Sequence, residues 1–127
     1  MLAPAIELDF SPLNDFMVEN SRGGIARKRF FIGPIDVYVR VNTRLLGHSS
    51  HRTLDLVDIT IAEDQQGKGI FRSLLAYLEV AAAQNGRAIF VENIVNPILR
   101  SALARRGYSF RDGELGSGWK IFASLVA

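Results

Sequence analysis

A chain of 127 residues, 48% of them hydrophobic and with charges scattered throughout, has the size and composition of one soluble globular domain with a single core. Fifteen Lys and Arg against 13 Asp and Glu leave a formal charge of +2, so the chain is no polycation, and the absence of cysteine excludes disulfides, thiolate zinc sites and a cysteine nucleophile. No apolar run approaches the ~18 residues of a membrane span, and Met1-Leu2-Ala3-Pro4 lacks the charged and apolar regions of a secretory signal, so a cytoplasmic location is expected.

In chain order, Ala5 to Phe10 reads as a short strand. Ser11 stands where an N-cap belongs, with Pro12 in the first helical position. Leu13, Phe16 and Met17 then recur at helical spacing as far as Asn20, and Gly23-Gly24 ends the helix. Ile25 to Ile32 reads as a second strand and Gly33-Pro34 as a turn. Ile35, Val37, Val39 and Val41 alternate with Asp36, Tyr38, Arg40 and Asn42, a strand period of two. Thr43 to Arg52 reads as a loop or the frayed end of a hairpin. It carries His48 and His51, but a loop fixes no ligand geometry and no third ligand is near in sequence, so no metal site is expected.

The strand from Leu54 to Ala62 contains a slip. Leu54 and Leu56 share one face, whereas Val57, Ile59 and Ile61 continue in the opposite phase. A β-bulge does this, and it bends the strand away from its neighbour. A strand buried on both faces would look the same. Gln66-Gly67-Lys68-Gly69-Ile70-Phe71 follows, leading into an amphipathic helix from Ile70 to Gln84. Two glycines let backbone pass close to a ligand, and the unpaired N–H groups of a helix start suit a phosphate. The competing reading is a tight turn with glycine for steric reasons alone. No Walker loop is present, and Arg72 occupies the third glycine position of a dinucleotide fingerprint.

Ile70, Leu74, Tyr77, Leu78 and Ala81 form the apolar stripe of that helix, with Arg72, Ser73, Glu79 and Gln84 facing away, and Asn85-Gly86 stops it. Ala88 to Ile94 is a further strand, which makes a right-handed parallel crossover. Asn96-Pro97 starts another helix with apolar residues Ile98, Leu99, Ala102 and Leu103, closed by Arg105, Arg106 and Gly107. Tyr108 to Arg111 and Trp119 to Val126 read as a hairpin around a Gly113 to Gly118 loop. The basic clusters Arg27-Lys28-Arg29 and Arg100, Arg105 and Arg106 read first as solvated faces or helix-end charges and second as a nucleic-acid patch.

Gln66, two residues, Gly69, one residue and then a small position is the spacing of the acyl-CoA loop of the GNAT N-acetyltransferase superfamily, although Phe71 fills the small position. The run from Asp58 to Gln65 and the run from Asn96 to Tyr108 also resemble that family, so the resemblance spans residues 54–110. It implies one α/β domain over residues 1–127: a GNAT-like mixed central β-sheet with a splayed, bulged strand and flanking helices, and a reduced N-terminal helical region. It implies acetyl-CoA or coenzyme A as cofactor, held by Ile59, Ile61, Gln66, Gly67, Lys68, Gly69, Ile70, Phe71 and Asn96, with the pantetheine arm in the gap beside the bulged strand. The activity implied is transfer of acetyl to a primary amine, and an open acceptor side favours a macromolecular acceptor such as a protein.

Such transfer needs a neutral amine, an oxyanion donor such as a backbone N–H near Ile61, and a proton for the departing thiolate. Asp58 and Glu92 are the candidate bases, read otherwise as carboxylates that solvate the cleft, and Glu63 reads as surface. The helix tyrosine that often supplies the proton is replaced by Leu103, which leaves Ser101 and Tyr108 as substitutes out of register. The alternative class is a non-catalytic module on the same scaffold that binds coenzyme A, a protein or a nucleic acid. A homodimer is compatible with either class.

Overall fold

The computed structural model describes residues 8–92, 94, 97–110 and 116–122. Helix α1 (Ser11–Glu19) is followed by strands β1 (Ala26–Ile32), β2 (Ile35–Leu46) and β3 (Ser49–Ile61), helix α2 (Ile70–Gln84), strand β4 (Ala88–Val91), helix α3 (Pro97–Arg105) and strands β5 (Ser109–Phe110) and β6 (Gly118–Lys120). The strands form one mixed sheet in the order β1-β2-β3-β4-β6-β5. Among the described strands only the β3–β4 pair is parallel, as the βαβ crossover through α2 requires.

The alternation of β2 sets the layering. Ile35, Val37, Val39 and Val41 are buried on one face and meet Leu13, Phe16 and Met17 of α1 and Leu74, Leu75 and Leu78 of α2 in one apolar core, which Leu103 of α3 also enters. Burying a side chain of this size contributes about 1.5–3 kcal/mol. The opposite face carries Asp36, Tyr38, Arg40 and Arg44 and is called the open face below.

Several sequence expectations change. Leu8 to Phe10 is not a strand, and residues 1–7 lie outside the described residues. Ser11 is the first residue of α1, not its cap; Phe10 holds the cap position, and the Ser11 N–H is accepted by Asp9 Oδ1 at 2.9 Å. Of the two readings of Thr43 to Arg52, loop or hairpin end, the hairpin holds. The segment completes a long β2–β3 hairpin that turns at Gly47-His48, so His51 lies on a strand opposite Arg44. Among the described residues, no three metal-binding side chains gather. The strand expected to run to Ile94 ends at Val91, and of the last strand only Gly118–Lys120 is described as such. No described helix is long and apolar enough to cross a membrane.

Candidate functional site

The bulge is where the sequence slip places it. Tyr38 pairs with Asp58 and Val39 with Leu56, so Val57 is the extra residue on β3. Beyond it Ile59 and Ile61 return to the helix-facing side, packed against the core, while Asp58 and Thr60 point to the open face. The parallel pairing with β4 runs only from Thr53↔Ala88 to Leu56↔Val91, closed by a 3.0 Å bond from Glu92 N–H to Leu56 O. β3 continues to Ile61 with no described partner on that side. The two strands therefore form a fork, whose free inner edge is the backbone of residues 57–61.

The loop after β3 stands at the open end of this fork. A short 3-10 turn at Glu63–Gln65 leads into Gln66, whose Nε2 donates to Ile61 O at 3.0 Å and braces the loop to the strand. Gly67 and Gly69 have φ of 78° and 77°, the left-handed region that favours glycine, and no atom lies within 4 Å of where either Cβ would stand. Open space therefore lies beside the turn. Ser73 is the first residue to bond back into the helix, N–H to Gly69 O at 3.0 Å, and no side chain caps the α2 N-terminus. The first-turn N–H groups and the positive end of the dipole are left without an internal partner. Lys68 is exposed beside them, and no acidic residue stands in the first turn. Ile70 is buried in the core. Phe71 is half-buried and lines a groove of about 400 Å³ between α2 and α3 together with Arg72, Leu75, Ala102, Arg105 and Arg106. Asn96 lies outside the described residues.

A ligand with a chain of amides and a diphosphate fits these features: extended backbone to pair with, an unsatisfied helix start, and glycines with empty space above them. The Gln66 side-chain amide is spent on Ile61 O.

The candidate catalytic side chains separate. Asp58 is on the open face one residue past the bulge, its side chain 60% exposed, with Arg29 Nη1 at 4.0 Å. Glu92 is held by two guanidiniums. Its Oε1 accepts from Arg44 Nη2 at 2.7 Å and from Arg40 Nη2, and the same guanidiniums hold the fully buried Asp55 at 2.9 and 3.0 Å. Thr53 Oγ1 donates to Asp55 at 2.7 Å, and the Arg44 guanidinium stacks on Phe90 at 4.0 Å. This neutral cluster joins β2, β3 and β4 at the base of the fork. Sequence reading missed it, and the signal was there: Arg40 and Arg44 share one face of β2, as Thr53 and Asp55 share one face of β3.

Tyr108 is buried, and its hydroxyl donates to Glu79 Oε2 at 3.1 Å. Burial first, then the Glu79 charge and bond, pushes its pKa far above the ordinary phenol value, so it is a poor proton donor. Glu79, expected to face away, instead receives Arg106 through Nε at 3.0 Å and Nη2 at 2.8 Å, with Lys120 Nζ at 3.5 Å. Burial raises its pKa, but the bond from Arg106, the charge of Lys120 and the bond from Tyr108 outweigh that and hold the carboxyl below its usual range. Ser101 is exposed on α3, and Leu103 is fully buried in the core.

No sequence-family model matches the chain, and neither does any curated protein sequence. Solved structures do match. A chain of the KacTA–DNA complex is similar with a TM-score of 0.56 and 17% identity over 87% of this chain and 79% of that one. A tyrosine-to-phenylalanine variant of the toxin AtaT, bound to the C-terminus of the antitoxin AtaR and acetyl-CoA, is similar at 0.54 and 15% identity. The fold is that of the GNAT acetyltransferases. An Arabidopsis thaliana Naa50 in complex with a bisubstrate CoA–peptide analogue has the same GNAT fold at a TM-score of 0.50 and 11% identity, over 91% of this chain and 98% of that one. Against AtaT the chain spans 57% of the solved length and matches over 68% of its own.

Proposed function

We propose that this chain binds acetyl-CoA in the β3–β4 fork and transfers the acetyl group to a primary amine. The observation that carries the reading is the fork itself: a strand bulged at Val57 that runs five residues past its last parallel pair and ends in the Gln66–Phe71 turn. Lys68 and the N–H groups of the α2 start would hold the diphosphate, and the free edge of residues 57–61 would pair with the pantetheine amides. The bound group supplies an activated acyl thioester. The chain supplies position, an N–H from the β3 edge for the charge that develops on the carbonyl oxygen, and a base.

Asp58 is the first candidate for that base, because it is the carboxylate beside the bulge that two guanidiniums do not hold; Glu92 is the second. Leu103 cannot donate a proton and Tyr108 is committed to Glu79, so thiolate protonation falls to solvent. The acceptor class we favour is a macromolecule, in keeping with the one short helix described before β1. The test is release of free coenzyme A thiol from acetyl-CoA across a panel of amines and amine-bearing peptides. Turnover is expected in the wild type, with a loss of about 10²–10⁴-fold in Asp58→Asn while coenzyme A binding is retained. Binding without turnover of any acceptor would instead favour a non-catalytic module.

A further inference from the structure

The loop and the fork account for a diphosphate and a chain of amides, and they leave the groove between α2 and α3 unexplained. That groove presents three guanidiniums, Arg72 from the first turn of α2, Arg105 from the last residue of α3 and Arg106 just past it. Arg106 is spent on Glu79 through two bonds. Arg72 and Arg105 have no ion pair among the described residues. The volume, about 400 Å³, lies within the range of small-molecule sites, about 300–1,000 Å³. Phe71 and Leu75 give one wall an apolar surface against which a flat ring can lie.

Arg105 has an ordinary explanation, since a cation at a helix C-terminus complements the dipole. Arg72 has none. A cation in the first turn stands at the positive end of α2, where it is disfavoured, and no acidic residue there compensates it. Two uncompensated guanidiniums from different helices, facing one groove next to an aromatic ring, match a doubly charged phosphate on an aromatic nucleoside. Coenzyme A carries such a group: a 3′-phosphate on its adenosine, set apart from the diphosphate.

We propose that Arg72 and Arg105 read this 3′-phosphate, so that the protein selects coenzyme A over 3′-dephospho-coenzyme A. The inference rests on the coenzyme A reading of the loop. It makes the α2–α3 groove a specificity site and Phe71 the surface beside the adenine. It also accounts for an aromatic residue at a loop position that a ligand-crowded turn would keep small.

The experiment is calorimetric titration of the full chain with coenzyme A and with 3′-dephospho-coenzyme A, at low and at physiological salt. The expected result is a preference of about tenfold or more for coenzyme A, weakened by salt because both arginines are exposed. Arg72→Gln with Arg105→Gln should abolish the preference by weakening coenzyme A alone. Both side chains are exposed, so the double variant keeps the fold, and an unchanged melting temperature without ligand checks this. Equal binding of the two ligands by the wild type overturns the inference and leaves the loop reading standing. Binding of neither overturns both.

Discussion

Gly69 stands at φ 77° with nothing within 4 Å of its missing Cβ. Any side chain there meets left-handed strain of about 1–2 kcal/mol, but none meets a neighbour. Gly69→Ala and Gly69→Glu share the strain and differ in charge. Gly69→Ala is therefore expected to melt lower and still to be stabilised by coenzyme A, whereas Gly69→Glu should lose the ligand-dependent rise in melting temperature. Equal rises in the two variants would place the phosphates elsewhere. Glu79 gives a second residue-scale expectation. Its folded pKa lies below its unfolded one, so its stabilisation is complete above the unfolded value near 4.5 and is lost as pH falls through the folded value. Glu79→Gln should flatten the acid limb of melting temperature against pH below about 5, relative to the wild type. An unchanged acid limb would mean that Arg106, Tyr108 and Lys120 do not hold that carboxylate in solution.

At the scale of elements the bulge is the device that makes the fork. Deleting Val57 removes the extra residue while every later side chain keeps its present face: Asp58 and Thr60 outward, Ile59 and Ile61 toward the helices. The deletion is thus expected to fold and to lose coenzyme A binding, and a deletion variant that binds as well as wild type would detach the bulge from function. The bulge was legible because apolar residues flank it on both sides and their phase can be read. Helix α2 was legible to the residue for a similar reason, a strong 3.6 period with the Asn85-Gly86 stop. The far half of the hairpin was legible only as one of two readings. Thr43, Arg44, Ser49, Ser50, His51 and Arg52 are mostly polar, and their strand is held by backbone pairing and by a buried acid eleven positions from Arg44. Glu79 shows the same limit. On a helical wheel it faces outward, and its partners arrive from the segment between α3 and β5 and from β6, which a local pattern cannot see.

At the scale of the molecule, three helices share one face of the sheet, and the other carries charged side chains beside a small apolar cluster of Leu46, Ala88 and Phe90 with Trp119 packed against it. Charge on the open face is largely paired within the sheet: Arg29 with Asp36, and Arg40 and Arg44 with Asp55 and Glu92. The Arg27-Lys28-Arg29 run therefore does not sum to a uniformly positive surface, although its residues are exposed. Uncompensated positive charge gathers at the α2 start and the α2–α3 groove, through Lys68, Arg72 and Arg105. The fork opens at that same end of the molecule. The central claim is that one acyl-CoA lies along the β3 edge and into this corner. Amide hydrogen exchange with and without acetyl-CoA tests it most directly. Slowed exchange confined to residues 57–61 and 67–72 and to the groove face of α3 is the predicted result. No protection at saturating ligand, or protection centred on the β2–β3 hairpin tip, would contradict it.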